Sequence, residues 1–197
     1  KMFGIDAELL IDHAWGYETC RMSDIKNYHS EEHSLSNGQV LMRNYSFEEA
    51  LVIVREMTDN LVLDLFEKGL VTSSLTLWIA YDHRYEHEAS KGTVKLERES
   101  NSSKKIIDAV EDLYLRIADR YIGIRRIEVC ANRVAPESYV QYSMFDDPKQ
   151  TDKERHLQEA VLNVKQRYGK NAIMRGSNLL ECSTYRERNE QIGGHRA

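Results

Sequence analysis

Cysteine, proline and long apolar runs are all scarce in this chain of 197 residues. The 3 cysteines, Cys20, Cys130 and Cys182, are far apart and have no CxxC spacing. Their odd number and spacing argue against a disulfide framework and against a zinc site. No apolar stretch approaches the roughly 20 residues of a membrane span, and the first residues lack the layout of a signal peptide. We therefore expect a cytoplasmic protein without a membrane partner.

An excess of positive charge is also missing. The formal net charge is -5, with 41% hydrophobic and 30% charged residues, as in an ordinary soluble globular protein. This balance argues against a surface that is basic all over, although one basic face is compatible with it because charges can be segregated. The sequence also lacks a Walker loop, a GxGxxG motif and a Ser-His-Asp order. We predict no catalytic residues.

The middle of the chain, residues 35–136, alternates strand and helix patterns. SNGQVLMR predicts a strand, and a capping box of Ser46 with Glu49 begins a long helix. SSLTLWIAYDH and GTVKLER predict two more strands, Ser102 or Ser103 caps a second helix, and IGIRRIEVCANRV predicts the last strand. This order predicts an α+β fold of the split βαβ kind, a four-stranded sheet with two helices on one face (βαββαβ).

The second face of that sheet is predicted to be open, polar and partly basic. Alternation assigns to it Thr76, Trp78, Lys95, Arg126, Glu128 and Cys130. Trp78 either stacks on a nucleic-acid base or packs at the sheet edge. Acidic residues that we assign to helix exteriors and turns include Glu48, Glu56, Asp59, Asp108 and Asp112. Such segregation would reconcile a negative net charge with a face that attracts phosphate.

Other segments flank this domain. Residues 1–16 predict a short amphipathic helix that ends at Gly16, and residues 17–34 are polar and aperiodic, typical of a linker. Residues 137–150 form a connector. Residues 151–197 predict one more helix followed by a loosely ordered tail.

The C-terminal helix is predicted from about Asp152 to Tyr168. Its apolar stripe consists of Leu157, Val161, Val164 and Tyr168. Gly169 ends the helix.

Histidines occur twice at spacings typical of metal ligands. His29, Glu32 and His33 in HSEEH match the HxxEH order of an inverted zinc-protease motif. That chemistry needs both histidines on one face of a packed helix, and the flanks here are aperiodic. His83 and His87 are four residues apart in a turn after a strand. We predict no metal site and keep a metal-dependent hydrolase only as the least favoured hypothesis.

The connector contains the stretch QYSMFDD, with apolar side chains that a loop does not need. Tyr142, Met144 and Phe145 lie between Pro136 and Pro148. These apolar residues either fold back onto the core or fill a hydrophobic pocket on another protein.

Taken in order, several segments resemble the C-terminal region of Y-family translesion DNA polymerases, in the UmuC-like (ImpB/MucB/SamB) branch of Gram-positive bacteria. They are AELLIDHAWG, SNGQVL, IRRIEVCANRV, QYSMFDD and RERNEQIGGHRA. The likeness covers nearly the whole chain. In that family, residues like 1–16 end the thumb, and a linker like 17–34 leads to the little finger, a four-stranded sheet with two helices. The resemblance therefore implies a little finger over residues 35–136.

The resemblance also implies that the open face lies in the major groove of primer-template DNA and holds both backbones. Arg125 and Arg126 match the IRRI segment, in which arginine contacts template phosphate, and we expect Arg126, on the open face, to matter more. Gly38 matches a position where main-chain N–H groups approach a phosphate. Further candidates for backbone contacts, from position and charge alone, are Lys95, Arg98, Lys104 and Lys105.

The connector resembles the QLSLF pentapeptide by which such polymerases dock on the sliding clamp. Its residues here are Gln141, Tyr142, Ser143, Met144 and Phe145. The resemblance implies that Gln141 hydrogen-bonds at the pocket rim while Met144 and Phe145 fill the cleft. Tyr142 and Met144 stand where leucine is usual, and Tyr142 should lower affinity.

The family's metal-binding carboxylates lie in a palm upstream of residue 1. The resemblance thus implies a fragment with no cofactor of its own, from a parent that uses magnesium for error-prone synthesis opposite damaged DNA in the SOS response. The fragment should synthesise nothing. Implied partners are primer-template DNA, the sliding clamp and an accessory protein at the tail. The main alternative is a stand-alone protein-interaction module without DNA affinity, which the acidic net charge supports.

Overall fold

The computed structural model describes residues 6–18, 20–27, 34–138 and 147–191. The chain divides into two compact units, with the boundary between residues 32 and 33.

The first unit contains two short helices. Helix α1 (Asp6–Ala14) confirms the predicted N-terminal helix, and Gly16 follows it with a φ of 76°. Helix α2 (Met22–Asn27) lies inside the segment that we predicted to be a linker. The Asp24 carboxylate accepts a hydrogen bond from the Arg21 N–H at 2.9 Å, so a polar side chain closes this turn locally.

The second unit has the predicted order of strands and helices. Its elements are β1 (Ser34–Tyr45), α3 (Phe47–Glu67), β2 (Leu70–Tyr81), β3 (Ser90–Ser100), α4 (Ser103–Ile117) and β4 (Ile124–Asn132). The strands form an antiparallel sheet in the order β1-β4-β2-β3, and a short strand β5 (Ala135–Pro136) pairs with the start of β2. The predicted α+β fold, βαββαβ with two helices on one face, is confirmed.

Local signals in the sequence set the helix ends. Ser46 Oγ accepts the Glu49 N–H at 3.2 Å while the Glu49 carboxylate accepts the Ser46 N–H at 2.9 Å, which is the predicted capping box of α3. Gly69 follows this helix with a φ of 61°, a conformation that glycine adopts without strain. Helix α4 begins where Ser102 Oγ accepts the Lys105 N–H.

The hydrophobic core lies between the sheet and helices α3 and α4. Alternate residues of β2 and β4 enter it, as predicted, and are fully buried: Leu75, Leu77, Ile79, Ile127, Val129 and Ala131. The helices contribute buried residues at helical spacing, including Ile53, Met57, Leu61, Ile106 and Val110. Since the helices cover this face, side chains on the alternate positions of the strands lie on the opposite face.

Helix α5 (Pro148–Tyr168) contacts the helix layer through polar side chains, and its range agrees closely with the predicted one. It begins earlier than predicted because the Asp147 carboxylate accepts the Lys149 N–H and Pro148 fits the first turn. Gln158 is buried and donates to the Asn101 carbonyl at 3.0 Å. Of the predicted apolar stripe, Leu157 and Tyr168 are 64% and 66% exposed, whereas Val161 and Val164 are half-buried.

The tail continues as a 3-10 helix (Gly176–Leu179) and helix α6 (Tyr185–Asn189), and it lies against α3. Arg175 donates to Asp59 at 2.6 Å, and Ser183 Oγ donates to the carboxylate of Glu56. Glu56 is only 1% exposed. The prediction that Glu56 lies on a helix exterior is therefore wrong, because the described part of the tail covers it.

Within the described ranges, none of the helices combines the length and the apolar character that crossing a bilayer would require.

Candidate nucleic-acid interface

The uncovered face of the sheet, which we call the open face, carries alternate residues of all four strands. It contains Gly38 and Val40 of β1, Thr76 and Trp78 of β2, Lys91, Thr93 and Lys95 of β3, and Arg126, Glu128, Cys130 and Asn132 of β4. Its centre is a shallow depression of about 330 Å³. The lining residues are Thr76, Trp78, Lys91, Arg126, Glu128, Cys130 and Asn132.

Arg126 contacts an aromatic ring and a carboxylate on this face. Its guanidinium carbon lies 5.0 Å from the centroid of the Trp78 ring, within cation–π range. Its Nη2 lies 3.5 Å from Glu128 Oε2. The Arg126 side chain is nevertheless 50% exposed, so it remains accessible to an anion. Trp78 does not pack at the sheet edge, since its strand lies between β4 and β3.

Polar side chains beside the depression form a hydrogen-bonded group. Asn132 Nδ2 donates to Thr76 Oγ1 at 2.9 Å, and the hydroxyls of Thr76 and Thr93 lie 2.9 Å apart. Burial raises the pKa of the Cys130 thiol, which keeps it protonated at neutral pH and unsuited to nucleophilic chemistry. The arrangement favours binding over catalysis.

The predicted DNA-binding residues fall into separate groups in the structure. Gly38, Lys95 and Arg126 lie on the open face. Arg125 lies at a β-bulge, where the pairing of β4 with β2 shifts between Ala80 and Tyr81, and it is half-buried.

The remaining predicted contacts lie elsewhere. Arg98 lies farther along β3 and is exposed. Lys104 and Lys105 are exposed in the first turn of α4, on the side of the sheet that the helices cover. The structure therefore does not bring these two lysines together with Arg126.

Sequence reasoning missed Lys91 as a candidate. It lines the depression and pairs with Trp78 across the strands. The predicted strand began at Gly92, whereas β3 begins at Ser90. The alternation of Lys91, Thr93 and Lys95 was the signal that would have identified it.

One predicted site, and one motif for which we predicted no metal site, lie outside the described residues. They are the sliding-clamp segment Gln141, Tyr142, Ser143, Met144 and Phe145, and the HSEEH motif with His29, Glu32 and His33. Among the residues that are described, no three histidine, cysteine or acidic side chains are grouped so that they could hold a metal ion. His83 lies 3.6 Å from the Asp82 carboxylate, and the rings of His87 and Tyr81 make an edge-to-face contact with centroids 4.6 Å apart.

A comparison with models of protein families shows which family this chain belongs to. The model of the impB/mucB/samB family C-terminal domain matches residues 32–144. The chain belongs to the impB/mucB/samB family. The match includes the whole βαββαβ unit, and it confirms the resemblance found from the sequence.

Two curated relatives carry the name DNA polymerase IV 2. The protein of Bacillus subtilis (strain 168) is 24% identical over 164 residues, which cover 82% of this chain and 39% of that relative. The protein of Halalkalibacterium halodurans is 21% identical over 168 residues, which cover 85% of this chain and 40% of the relative. The impB/mucB/samB chain thus spans about two fifths of the length of the curated relatives it matches.

Solved structures with a similar fold include a complex of the beta-clamp processivity factor with the little finger domain of PolIV. Its TM-score is 0.41 at 11% identity, covering 58% of this chain and 100% of that chain. An insertion ternary complex of Dbh DNA polymerase has a TM-score of 0.38 at 15% identity, covering 66% of this chain and 36% of the other.

Proposed function

We propose that this chain is the DNA-binding little finger region of an error-prone translesion DNA polymerase and that its open face holds the primer-template backbone. The observation that carries the proposal is the exposed guanidinium of Arg126, stacked on Trp78 on a sheet face that no helix covers. Membership of the impB/mucB/samB family and the name of the curated relatives support the same function. They also disfavour the alternative of a protein-interaction module without DNA affinity.

The chemistry of the open face suits a phosphate backbone. Arginine presents a planar set of donors that matches a phosphate, and Lys91 and Lys95 add point charges on β3. On β1, which pairs with β4, Gly38 has no side chain to keep a phosphate away from the main chain. Contacts of this kind fix the position of DNA without reading its sequence, as a polymerase that meets damaged bases requires.

We also propose that the segment from Gln141 to Phe145 docks on the sliding clamp. Burying Met144 and Phe145 would contribute roughly 3 to 6 kcal/mol before ordering costs, which corresponds to weak binding. Weak binding suffices because a protein already on DNA has a high effective concentration near the clamp. Retention on immobilised clamp should be lost in a variant with Met144→Ala and Phe145→Ala, and unchanged retention would contradict the proposal.

Catalysis is proposed for the whole polymerase and not for this chain. We place the carboxylates that bind magnesium for nucleotide transfer outside these 197 residues. In the cytoplasm the polymerase would act in the SOS response to DNA damage, and the tail is the proposed contact for an accessory protein. The chain alone should not extend a primer.

Fluorescence anisotropy of labelled primer-template DNA tests whether the open face binds the DNA backbone as proposed. The chain should bind weakly and in a salt-dependent manner. Arg126→Ala should lower affinity and reduce the slope of log K against log salt by about 0.9, the value for one lost phosphate contact. Arg116→Ala is the matched control, because Arg116 is an exposed arginine on α4, in the helix layer. No binding at low salt, or equal losses in both variants, would contradict the proposal.

A further inference from the structure

Glu128 occupies the centre of the open face, among the groups that should meet phosphate. In the strand register it pairs with Gly38 on one side and with Trp78 on the other. Its side-chain carbons lie 3.6 to 3.9 Å from the point where a Cβ on residue 38 would be. Of the residues that line the depression, Glu128 alone is acidic. The Glu128 carboxylate therefore lies next to two of the predicted phosphate contacts, Gly38 and Arg126.

The ion pair of Glu128 with Arg126 has the geometry of an exchangeable contact. The two residues are two positions apart on β4 and so lie on the same face, with Oε2 and Nη2 3.5 Å apart. The Glu128 side chain is 38% exposed and that of Arg126 is 50% exposed. Exposed pairs of this kind contribute little to the stability of a fold. Stabilising the fold is therefore a poor explanation for this ion pair.

We propose that Glu128 is a built-in competitor for DNA: it occupies the Arg126 guanidinium until a phosphate of the duplex displaces it. This inference rests on the proposed function of the open face. Carboxylate and phosphate oxygens are acceptors of the same sign and seek the same guanidinium donors. A phosphate that binds Arg126 therefore replaces Glu128 and remains close to its negative charge.

The arrangement limits how tightly the open face holds DNA. Trp78 keeps Arg126 in position by the cation–π contact, so the guanidinium does not depend on Glu128 for its placement. Removing the carboxylate should leave the cation where it is and free it for phosphate. The variant should bind DNA more tightly, whereas a residue that merely positions Arg126 would bind more weakly once removed.

The test is a double-mutant cycle on the full 197-residue chain with labelled primer-template duplex. Glu128→Gln should tighten binding by about threefold at low salt, as expected for removing a like charge some 6 Å from a phosphate. In the Arg126→Ala background the same change should have a much smaller effect. Asp112→Asn, on the exposed side of α4, removes an equal charge from the helix layer and should not tighten binding.

The outcomes separate this inference from the proposed function. Weaker or unchanged binding by Glu128→Gln, equal tightening by Asp112→Asn, or equal tightening with and without Arg126 would each overturn the role of Glu128. If the unmodified chain still binds in an Arg126-dependent manner, the proposed function survives that result. Absence of binding by the unmodified chain and by Glu128→Gln alike would overturn both. Glu128→Ala and thermal unfolding of each variant check that the effects arise in a folded protein.

Discussion

At Glu56 the fold buries a carboxylate beneath polar groups of the tail. The hydroxyl of Ser183 and the N–H of Thr184 both donate to it, and the charge of Arg188 acts on it from α6. Burial nevertheless raises the pKa of Glu56 above its ordinary value, because these partners offset the loss of water only in part. Docking of the tail onto α3 thus depends on an ionisable residue.

Replacing Glu56 should change how the stability of the chain varies with pH. Because the folded-state pKa is raised, the group's stabilising contribution is fully present below the unfolded-state pKa of about 4.5 and is lost as pH rises through the folded-state value. The difference in unfolding free energy between the unmodified chain and Glu56→Gln should therefore fall as the pH rises above about 4.5. Glu56→Ala leaves two donors without an acceptor and should cost about 1 to 3 kcal/mol.

Urea unfolding at a series of pH values measures both effects. Glu48→Gln serves as the control, because Glu48 is exposed in the first turn of the same helix. A difference between Glu56→Gln and the unmodified chain that stays constant with pH would contradict the account.

Several residues of the open face could be predicted from the sequence alone, and others could not. Strict alternation in β2 and β4 placed Thr76, Trp78 and Arg126 correctly, since one face of each strand is apolar. Arg125 could not be placed, because alternation gives no sign of the β-bulge that removes it from the pattern. The role that we propose for Glu128 depends on side-chain distances, which a pattern does not contain.

At the scale of elements, the three long helices were predictable, but the way in which α5 packs was not. Apolar periodicity and serine caps identified α3 and α4. Helix α5 instead packs through hydrogen-bonding side chains. Glu154 accepts from Ser102 Oγ and from the Lys104 N–H, at the N-terminus of α4, where a carboxylate is favourable. A hydrophobic stripe cannot predict such a face, because the partners are polar groups of a different element.

Polar side chains also connect helix α5 to the connector. Arg155 of α5 donates to the Glu137 carboxylate at 2.7 Å, and Asn101 donates to the other oxygen of Glu137 at 3.1 Å. The Glu137 N–H in turn donates to the Gly69 carbonyl. The N-terminal end of the connector is therefore attached both to the domain and to α5.

At the scale of the whole molecule, the distribution of charge explains how an acidic chain can present a cationic face. Several carboxylates on α3 and α4 are paired with arginines. These pairs are Arg43 with Glu49, Arg55 with Glu111, and Arg175 with Asp59. The net charge of -5 is thus a poor guide to the open face, where Arg126 and Lys91 line the depression together with one carboxylate.

The most direct test of this account is to map where DNA touches the chain. In a titration of the 15N-labelled protein with primer-template duplex at low salt, NMR would follow the backbone amides and the indole N–H of Trp78. The account predicts that the largest shifts cluster at Thr76, Trp78, Lys91 and Arg126 and diminish as salt is added. Shifts that cluster instead on α3 and α4, or no shifts at all, would contradict the assignment of DNA binding to the open face.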